Sequence, residues 1–169
     1  MKNIKGRIIW KFGDHFNADL IVGSKYIAER DQELLGKICL ADYDPEFIHR
    51  VRPGDIMIAG RNFGFGHPHQ QGLQSLIKVG IAAFAAESYY PNWYRMAVSF
   101  GFPAIVCPDI SKKASLEQEI DINFHTGEIK NLSTGETLKG EPCPPYLMEI
   151  LDDGGLIQNL IKQLADAGK

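Results

Sequence analysis

Cysteine is scarce in this 169-residue chain, which has only Cys39, Cys107 and Cys143, far apart from one another. An odd number of scattered cysteines argues against a disulfide framework and favours a reducing compartment. The sequence also lacks a Cys-x-x-Cys pair. We therefore expect that this chain by itself holds neither an iron–sulfur cluster nor a structural zinc ion.

Long apolar runs and an excess of one charge are missing as well. No stretch reaches the roughly 18 to 20 apolar residues that a membrane span needs, and the first residues do not resemble a signal peptide. The formal net charge of −3 gives no electrostatic reason to bind nucleic acid. With 44% hydrophobic and 23% charged residues, we expect a soluble, cytoplasmic protein with a single domain over residues 1–169.

The middle third of the sequence alternates between strand-like and helix-like segments. Buried strands are predicted at 55–60, 81–88 and 102–109, and helices at 69–80 and 91–101, each helix closed by a glycine. Strands and helices that alternate with short links indicate a parallel sheet with right-handed crossovers.

The segment before this part is less regular. Residues 6–12 predict a first strand, and residues 13–27 a loop that contains one short strand. A short helix is expected near 33–37, followed by a mobile connection. Asp44 is a suitable N-cap and Pro45 a suitable first residue for the next helix.

The last third differs in character from the middle. Residues 119–141 alternate in polarity and contain two Thr-Gly-Glu turns, which predicts antiparallel hairpins. Residues 144–168 predict one or two helices, interrupted at Gly154 and Gly155. The whole pattern indicates an α/β fold with a mostly parallel central sheet and antiparallel hairpins near the C-terminus.

A glycine-rich loop, GRNFGFGHPHQQG at 60–72, joins a predicted strand to a predicted helix. Gly64 and Gly66 allow a tight turn and a close approach of the backbone to a ligand. The free N–H groups of the following helix favour a carboxylate or a phosphate. The spacing fits neither a dinucleotide fingerprint nor a P-loop. The loop is therefore either an anion site at the carboxyl edge of the sheet or a tight turn without a ligand.

Two histidines stand inside this loop. Histidine titrates near neutral pH, so His67 or His69 can act as a base or bind a carboxylate. A His-x-His pair supplies only two metal ligands, which is too few for a complete metal site unless an acid joins them. Exposed or structurally hydrogen-bonded histidines remain the alternative.

A second polar cluster lies near the N-terminus, where Asp14, His15 and Asp19 stand close in sequence. Acids in such loops can be functional, although aspartate is also common in turns. Lys25, Arg30 and Arg61 are candidate partners for an acidic substrate, with solvated surface charges as the alternative.

Four stretches of the chain, in order, resemble the small subunit of 3-isopropylmalate dehydratase, a family of the aconitase superfamily. Residues 6–27, GRIIWKFGDHFNADLIVGSKYI, resemble a GD-N-x-D-T-D-x-I-x-P-x-x-Y-L opening. Residues 35–66 resemble LG-x-x-x-F-x-x-x-DP-x-F-x-x-x-x-x-PGD-I-x-V-AG-x-NFGCG. Residues 81–105 resemble I-x-A-V-I-A-x-SFARIFYRNA-x-N-x-GLP, and residues 148–162 resemble E-I-L-x-x-GG-L.

The resemblance implies a swivelling β/β/α domain of the aconitase type. Such a domain docks on a separate large subunit that carries a [4Fe-4S] cluster, while the small subunit itself binds no cofactor. The pair is a hydro-lyase that dehydrates and rehydrates a hydroxy di- or tricarboxylate, as in leucine biosynthesis. The small subunit supplies groups that bind the substrate carboxylates and the base that takes the proton. A homo-oligomer is an option for the chain when it is alone.

The active-site loop departs from the family pattern NFGCGSSREHA. Asn62, Gly64 and Gly66 are kept, whereas His67 stands at the serine that accepts the proton in the family. His69 stands at the arginine that binds a carboxylate. The remaining differences are Phe65 at the cysteine, Pro68 at the second serine, Gln70, Gln71 and Gly72 at Glu-His-Ala, and Asn17 and Ala18 at an earlier Asp-Thr.

These positions give a set of candidate site residues. The predicted catalytic residues are His67, Asp14 and Asp19, and the predicted substrate-binding residues are Gly64, Gly66, His69, Arg30, Arg61 and Asn62. The segment from 23 to 42, which contains the displaced Arg30, is expected to close over the site. The alternatives are a non-catalytic relative that binds a carboxylate, and a metal site built from the two histidines and an acid.

Overall fold

A single sheet of seven strands organises the computed structural model, which describes residues 2–168. The strands are β1 Ile4–Phe12, β2 Ile56–Ala59, β3 Ala83–Ala86, β4 Ala104–Val106, β5 Glu119–Asn123, β6 Glu128–Asn131 and β7 Thr137–Lys139. Their order in the sheet is β4-β3-β2-β1-β5-β6-β7. The predicted α/β fold is confirmed, and the sheet is evenly mixed, with three parallel and three antiparallel pairings.

Strand β1 joins the two kinds of pairing. Its first part, Ile4 to Arg7, pairs antiparallel with β5. Its second part pairs parallel with β2, with an irregularity between Ile8 and Trp10. The antiparallel hairpins predicted near the C-terminus are therefore an extension of the parallel sheet rather than a separate unit.

Seven helices accompany the sheet within the described residues: α1 Gln32–Lys37, α2 Phe47–Arg50, α3 Gln70–Lys78, α4 Pro91–Ser99, α5 Ile110–Lys113, α6 Pro145–Asp152 and α7 Leu156–Ala167. The predicted glycine stops are confirmed, since Gly80 and Gly101 follow α3 and α4 with φ of 86° and 69°. The predicted break at Gly154 and Gly155 separates α6 from α7.

Two local predictions are wrong, and one short helix was missed. The short strand expected within 13–27 is absent, and two short 3-10 helices, Ala18–Leu20 and Ser24–Tyr26, occupy this segment. Its apolar residues are buried because they pack into the core, not because they pair with a strand. Helix α2 begins later than expected, since Asp44 accepts the N–H of Glu46 in a preceding turn. Helix α5 was not predicted.

The core has two layers, one on each face of the sheet. Alternate residues of β2 point to opposite faces: Met57 and Ala59 pack with residues of α1, α3 and α4, whereas Ile56 and Ile58 pack with β5, β6, β7 and α6. All four residues are fully buried, as expected for a strand covered on both faces. This packing fixes the carboxyl ends of β1, β2 and β3 side by side at one edge of the sheet.

The segment from 23 to 42, predicted to be mobile, is anchored in part. Leu35, Cys39 and Leu40 are fully buried in the core, and the N–H of Leu40 donates to the carbonyl of Ile21 at 2.8 Å. Its closure over the site remains a prediction. Among the described helices, none has the length and apolar character to cross a membrane.

Candidate functional site

The glycine loop, which in the structure runs from residue 60 to the N-cap of α3 at residue 69, lies between the segments that follow β1 and β3. On one side the N–H of Gly64 donates to the carbonyl of Phe16 at 3.1 Å, and on the other the N–H of Phe63 donates to the carbonyl of Ser88 at 3.0 Å. The parallel pairing of the strands thus continues past their ends as isolated bridges, which join Asn17 to Phe65 and Phe63 to Tyr89. The loop is held mainly by its backbone.

A cluster of aromatic rings in the core anchors the loop. The ring of Phe63 is fully buried, and its centroid lies 4.2 Å from that of Phe84, 5.2 Å from that of Phe12 and 4.9 Å from that of Trp93. Tilted and edge-on ring pairs at such distances contribute about 0.5–1.5 kcal/mol each beyond their buried area. Phe63 therefore fastens the loop to the hydrophobic core.

The two glycines of the loop are required by both conformation and space. Gly64 and Gly66 have φ of 86° and 102°, a region that other residues adopt at a cost. A Cβ atom at Gly64 would lie 2.4 Å from side-chain atoms of Trp93, and one at Gly66 would lie 2.5 Å from Oδ1 of Asn17. The tight turn predicted from the sequence is present, and the part these glycines play in substrate binding remains a prediction.

Asp14 and Arg61, predicted separately, form one unit. Oδ1 of Asp14 accepts the backbone N–H of Arg61 at 2.8 Å, and Oδ2 accepts Nε and Nη2 at 3.0 and 2.7 Å. The backbone N–H and then the guanidinium of Arg61 lower the pKa of Asp14. Asp14 thus holds the guanidinium of Arg61 in place, and its catalytic role remains a prediction. The Nη1 group of Arg61 makes none of these bonds.

Asn62 pairs with a histidine outside the predicted set. Its Nδ2 lies 3.1 Å from Nδ1 of His15, and both residues have positive φ, 53° and 54°. The backbone N–H of Asn62 donates to Oγ of Ser88 at 2.8 Å. Asn62 therefore links the three loop segments, and its side chain is already engaged within the chain.

Asp19, His67 and His69 come together on the other side of the loop. Oδ2 of Asp19 accepts the backbone N–H of His67 at 3.3 Å. Oδ1 of Asp19 is buried without a hydrogen-bond partner among the described residues, and it lies 3.8 Å from Nε2 of His69. This distance is too long for a hydrogen bond, but a small shift of the imidazole would form one. Asp19 is thus placed to orient His69.

Arg30 stands apart from these contacts. No hydrogen bond or ion pair joins its guanidinium to the described residues of the site. Its neighbourhood is nevertheless tied to the helix that follows the loop, because Nε2 of Gln71 donates to the carbonyls of Ile27 and Glu29 at 2.6 and 3.3 Å. Gln71 is the second residue of α3, and His69 is the N-cap of this helix.

An open groove of about 350 Å³ adjoins both loop histidines. We call it the histidine groove, and the side chains that line it are His67, Pro68, His69, Tyr90, Asn92 and Met96. Tyr90 is the N-cap of α4, and Asn92 and Met96 lie in its first two turns; the sequence prediction missed all three. They follow the strand predicted at 81–88, which ends at the same edge of the sheet as the loop. This position was the signal that could have revealed them.

All three thiols are buried and none lines the histidine groove. Burial raises the pKa of Cys39 to about 12 and that of Cys107 to about 11, and it also raises the pKa of Cys143. Among the described residues, no group of three or more histidines, cysteines or acids is placed to hold a metal ion. The geometry therefore gives no support to the metal-site alternative.

Known proteins similar to this chain agree with the resemblance of its motifs. The chain is 42% identical over 164 residues to the isopropylmalate/citramalate isomerase small subunit of Methanocaldococcus jannaschii, and the match covers 97% of each chain. It is 35% identical over 161 residues to the methanogen homoaconitase small subunit of Methanothermobacter thermautotrophicus, with 95% of this chain and 92% of the relative covered. No protein-family model matches the chain.

A solved structure with the same architecture extends the agreement to the fold. The crystal structure of 3-isopropylmalate dehydratase from Methanocaldococcus jannaschii is similar to this chain with a TM-score of 0.90, 31% identity and 98% of both chains covered. Sequence and fold agree over nearly the whole length, so the chain belongs to the 3-isopropylmalate dehydratase small-subunit family of hydro-lyases.

Proposed function

We propose that the chain works with a large subunit on a hydroxy dicarboxylate of the malate type, and that its two loop histidines replace the reactive side chains usual in the family. The observation that carries this proposal is the meeting of His67, His69 and Asp19 at the carboxyl edge of the sheet. Open α/β sheets bind ligands at this edge. The name "small subunit" of the relatives supports the large partner.

His69 is the proposed carboxylate ligand. It is the N-cap of α3, and no side chain caps that helix, so free N–H groups and the positive end of the helix dipole lie beside its imidazole. Asp19 orients the ring, since its Oδ1 atom lies 3.8 Å from Nε2 of His69. Arg61, held by Asp14, can offer its Nη1 group to a second carboxylate, because the other two donors of its guanidinium already bind the aspartate.

His67 is the proposed proton acceptor. Its backbone N–H is fixed by Asp19, whereas its side chain is exposed at the edge of the histidine groove. In the dehydration, the ring takes the proton from the carbon next to the carboxylate, the C–H electron pair forms the double bond, and the hydroxyl leaves as the C–O bond breaks. An imidazole near neutral pH suits this transfer.

The departing hydroxyl needs a group that this chain does not supply. A [4Fe-4S] cluster on the large subunit would provide a Lewis acid for it, and the buried, separated thiols of the small subunit fit the assignment of that cluster to the partner. We place the pair in the cytoplasm and in branched-chain amino-acid synthesis, where the isopropylmalate and citramalate named for one relative belong.

Reconstitution tests this function. The chain is combined with its large subunit under anaerobic conditions, and dehydration of 3-isopropylmalate and citramalate is followed by the absorbance of the unsaturated product. We expect turnover by the wild-type pair, and a fall in kcat of about 10²- to 10⁴-fold in His67→Ala. His69→Ala should mainly raise KM.

His49→Ala is the matched control, because His49 is exposed on α2, outside the site. A His67→Ala rate within about a factor of two of the wild type would remove His67 as the base. Absence of turnover with every acid, combined with a rise in Tm on addition of a dicarboxylate, would indicate a non-catalytic carboxylate-binding relative instead.

A further inference from the structure

We infer that the histidine groove binds an uncharged alkyl substituent of the substrate and so makes the enzyme selective for alkylmalates over tricarboxylates. This inference rests on the proposed function, since it assumes that His69 binds a carboxylate of the substrate. It goes further by assigning a specificity role to Tyr90 and Met96, which lie outside the glycine loop.

The groove lies between the loop and α4. His67 and His69 line it from the loop, and Asn92 and Met96 line it from α4. These two residues are four apart and therefore share one face of the helix, which places Met96 about one turn, or roughly 5 to 6 Å, beyond Asn92. A carboxylate at the histidines would direct its neighbouring substituent along this face.

Three of the lining side chains, those of Pro68, Tyr90 and Met96, suit a hydrocarbon group. Met96 and the ring of Pro68 are half-buried, and the ring of Tyr90 packs edge-on against Phe65 with centroids 6.0 Å apart. Methionine adapts its shape to branched groups. The contact with Phe65 keeps the ring of Tyr90 in place beside Pro68 and Met96.

The charges at the groove argue against a third carboxylate. None of the described residues that line it is a lysine, an arginine or an acid. The positive ends of the α3 and α4 dipoles lie at the N-caps His69 and Tyr90, and their effect falls off within the first turn of each helix. A carboxylate placed beside Met96 would therefore lose its hydration without gaining a partner, which is costly.

The kinetic test uses the reconstituted pair and three substrates. We expect kcat/KM for 3-isopropylmalate or citramalate to exceed that for a homoaconitate-type tricarboxylate by at least about 10-fold. Met96→Ala should lower kcat/KM for 3-isopropylmalate about 10-fold and affect citramalate less, because the larger isopropyl group loses more contact. Arg95→Ala is the control, since Arg95 borders a different surface of the same helix.

A direct readout separates this inference from the proposed function. With ¹³C-methyl methionine in the small subunit, citramalate or 3-isopropylmalate should shift the Met96 signal of the complex and leave those of the buried Met57 and Met148 unchanged. An active pair that prefers the tricarboxylate, or that shows no shift at Met96, would overturn the groove assignment while the dehydratase function stands. A pair without turnover that still shifts Met96 would refute the function and keep the subsite.

Discussion

Asp14 grips Arg61 by both its main chain and its side chain, with one carboxylate oxygen on the backbone N–H and the other on the guanidinium. The contact joins the segment after β1 to the start of the glycine loop, 47 residues further along the chain. It joins two residues that the sequence presented separately into one oriented ion pair, in which the Nη1 group of Arg61 does not bind the aspartate.

Removal of the Arg61 guanidinium should raise the pKa of Asp14 in the folded protein, because the guanidinium helps to lower it. In Arg61→Gln we expect the pKa of Asp14 to rise part of the way toward its ordinary value of about 3.9, because the backbone N–H remains. A carboxyl group whose pKa is lower in the folded than in the unfolded state stabilises the protein at pH values above the unfolded pKa. This stabilisation is lost as the pH falls through the folded pKa. The stability difference between wild type and variant should therefore shrink below about pH 4.

Carboxyl ¹³C NMR and urea unfolding at several pH values measure these two effects. Asp109 is the internal control, since Lys112 lowers its pKa and Arg61→Gln leaves that pair intact. An unchanged pKa of Asp14 in the variant would show that the backbone N–H alone is responsible.

The role of Asp19 can be separated from that of His67 by kinetics. Asp19→Asn keeps an oxygen for the N–H of His67 but removes the charge that faces His69, so we expect KM to rise about 5- to 10-fold with a smaller change in kcat. Asp42→Asn, in an exposed pair with Lys25, is the control. A large fall in kcat at constant KM would make Asp19 a catalytic residue, as the sequence prediction had it.

A methyl group at Gly64 should be costly for two separate reasons. The positive φ costs about 1–2 kcal/mol, and the approach to Trp93 adds about 1–3 kcal/mol of overpacking. Gly135 has a similar φ of 80° but open space around it. Gly64→Ala should thus lower the free energy of unfolding in urea by about 1–3 kcal/mol more than Gly135→Ala. Equal losses would mean that Trp93 moves aside freely.

The buried thiols should react slowly in the folded protein. With the pKa of Cys39 and Cys107 at about 12 and 11, the thiolate fraction at pH 8 is at least about 100-fold below that of an ordinary cysteine. Iodoacetamide, followed by mass spectrometry, should label all three cysteines rapidly only after unfolding in urea. Rapid labelling of any of them in the native state would contradict their burial.

Much of the fold was predictable because its signals are local. Gly80 and Gly101 mark the ends of α3 and α4, and the fully apolar run at β2 indicates a strand buried on both faces. The predicted strand within 13–27 failed for the opposite reason: Ile21 and Val22 are buried by packing that only the tertiary structure provides. The position of Asp44 satisfied the rule for a helix cap, yet the carboxylate caps a turn instead.

The candidate site was predictable in its parts but not in its pairings. The contact between Asp14 and Arg61 spans 47 residues, and that between Asp19 and His69 is similarly distant in sequence. Such pairs depend on which strands become neighbours, which no local pattern reveals. The sequence did not predict a role for Tyr90, Asn92 and Met96, because residues in or next to a predicted helix are usually explained by the helix itself.

The backbone frame of the glycine loop also bears on how enzymes of this kind diverge. Main-chain hydrogen bonds and the buried ring of Phe63 hold the loop, while Phe65 is half-exposed and His67 projects into solvent. Side chains that contribute so little to folding can be exchanged without rebuilding the domain. We therefore propose that the exchange of Ser-Ser-Arg for His67-Pro68-His69 changes the acid–base groups of the loop while its backbone stays the same.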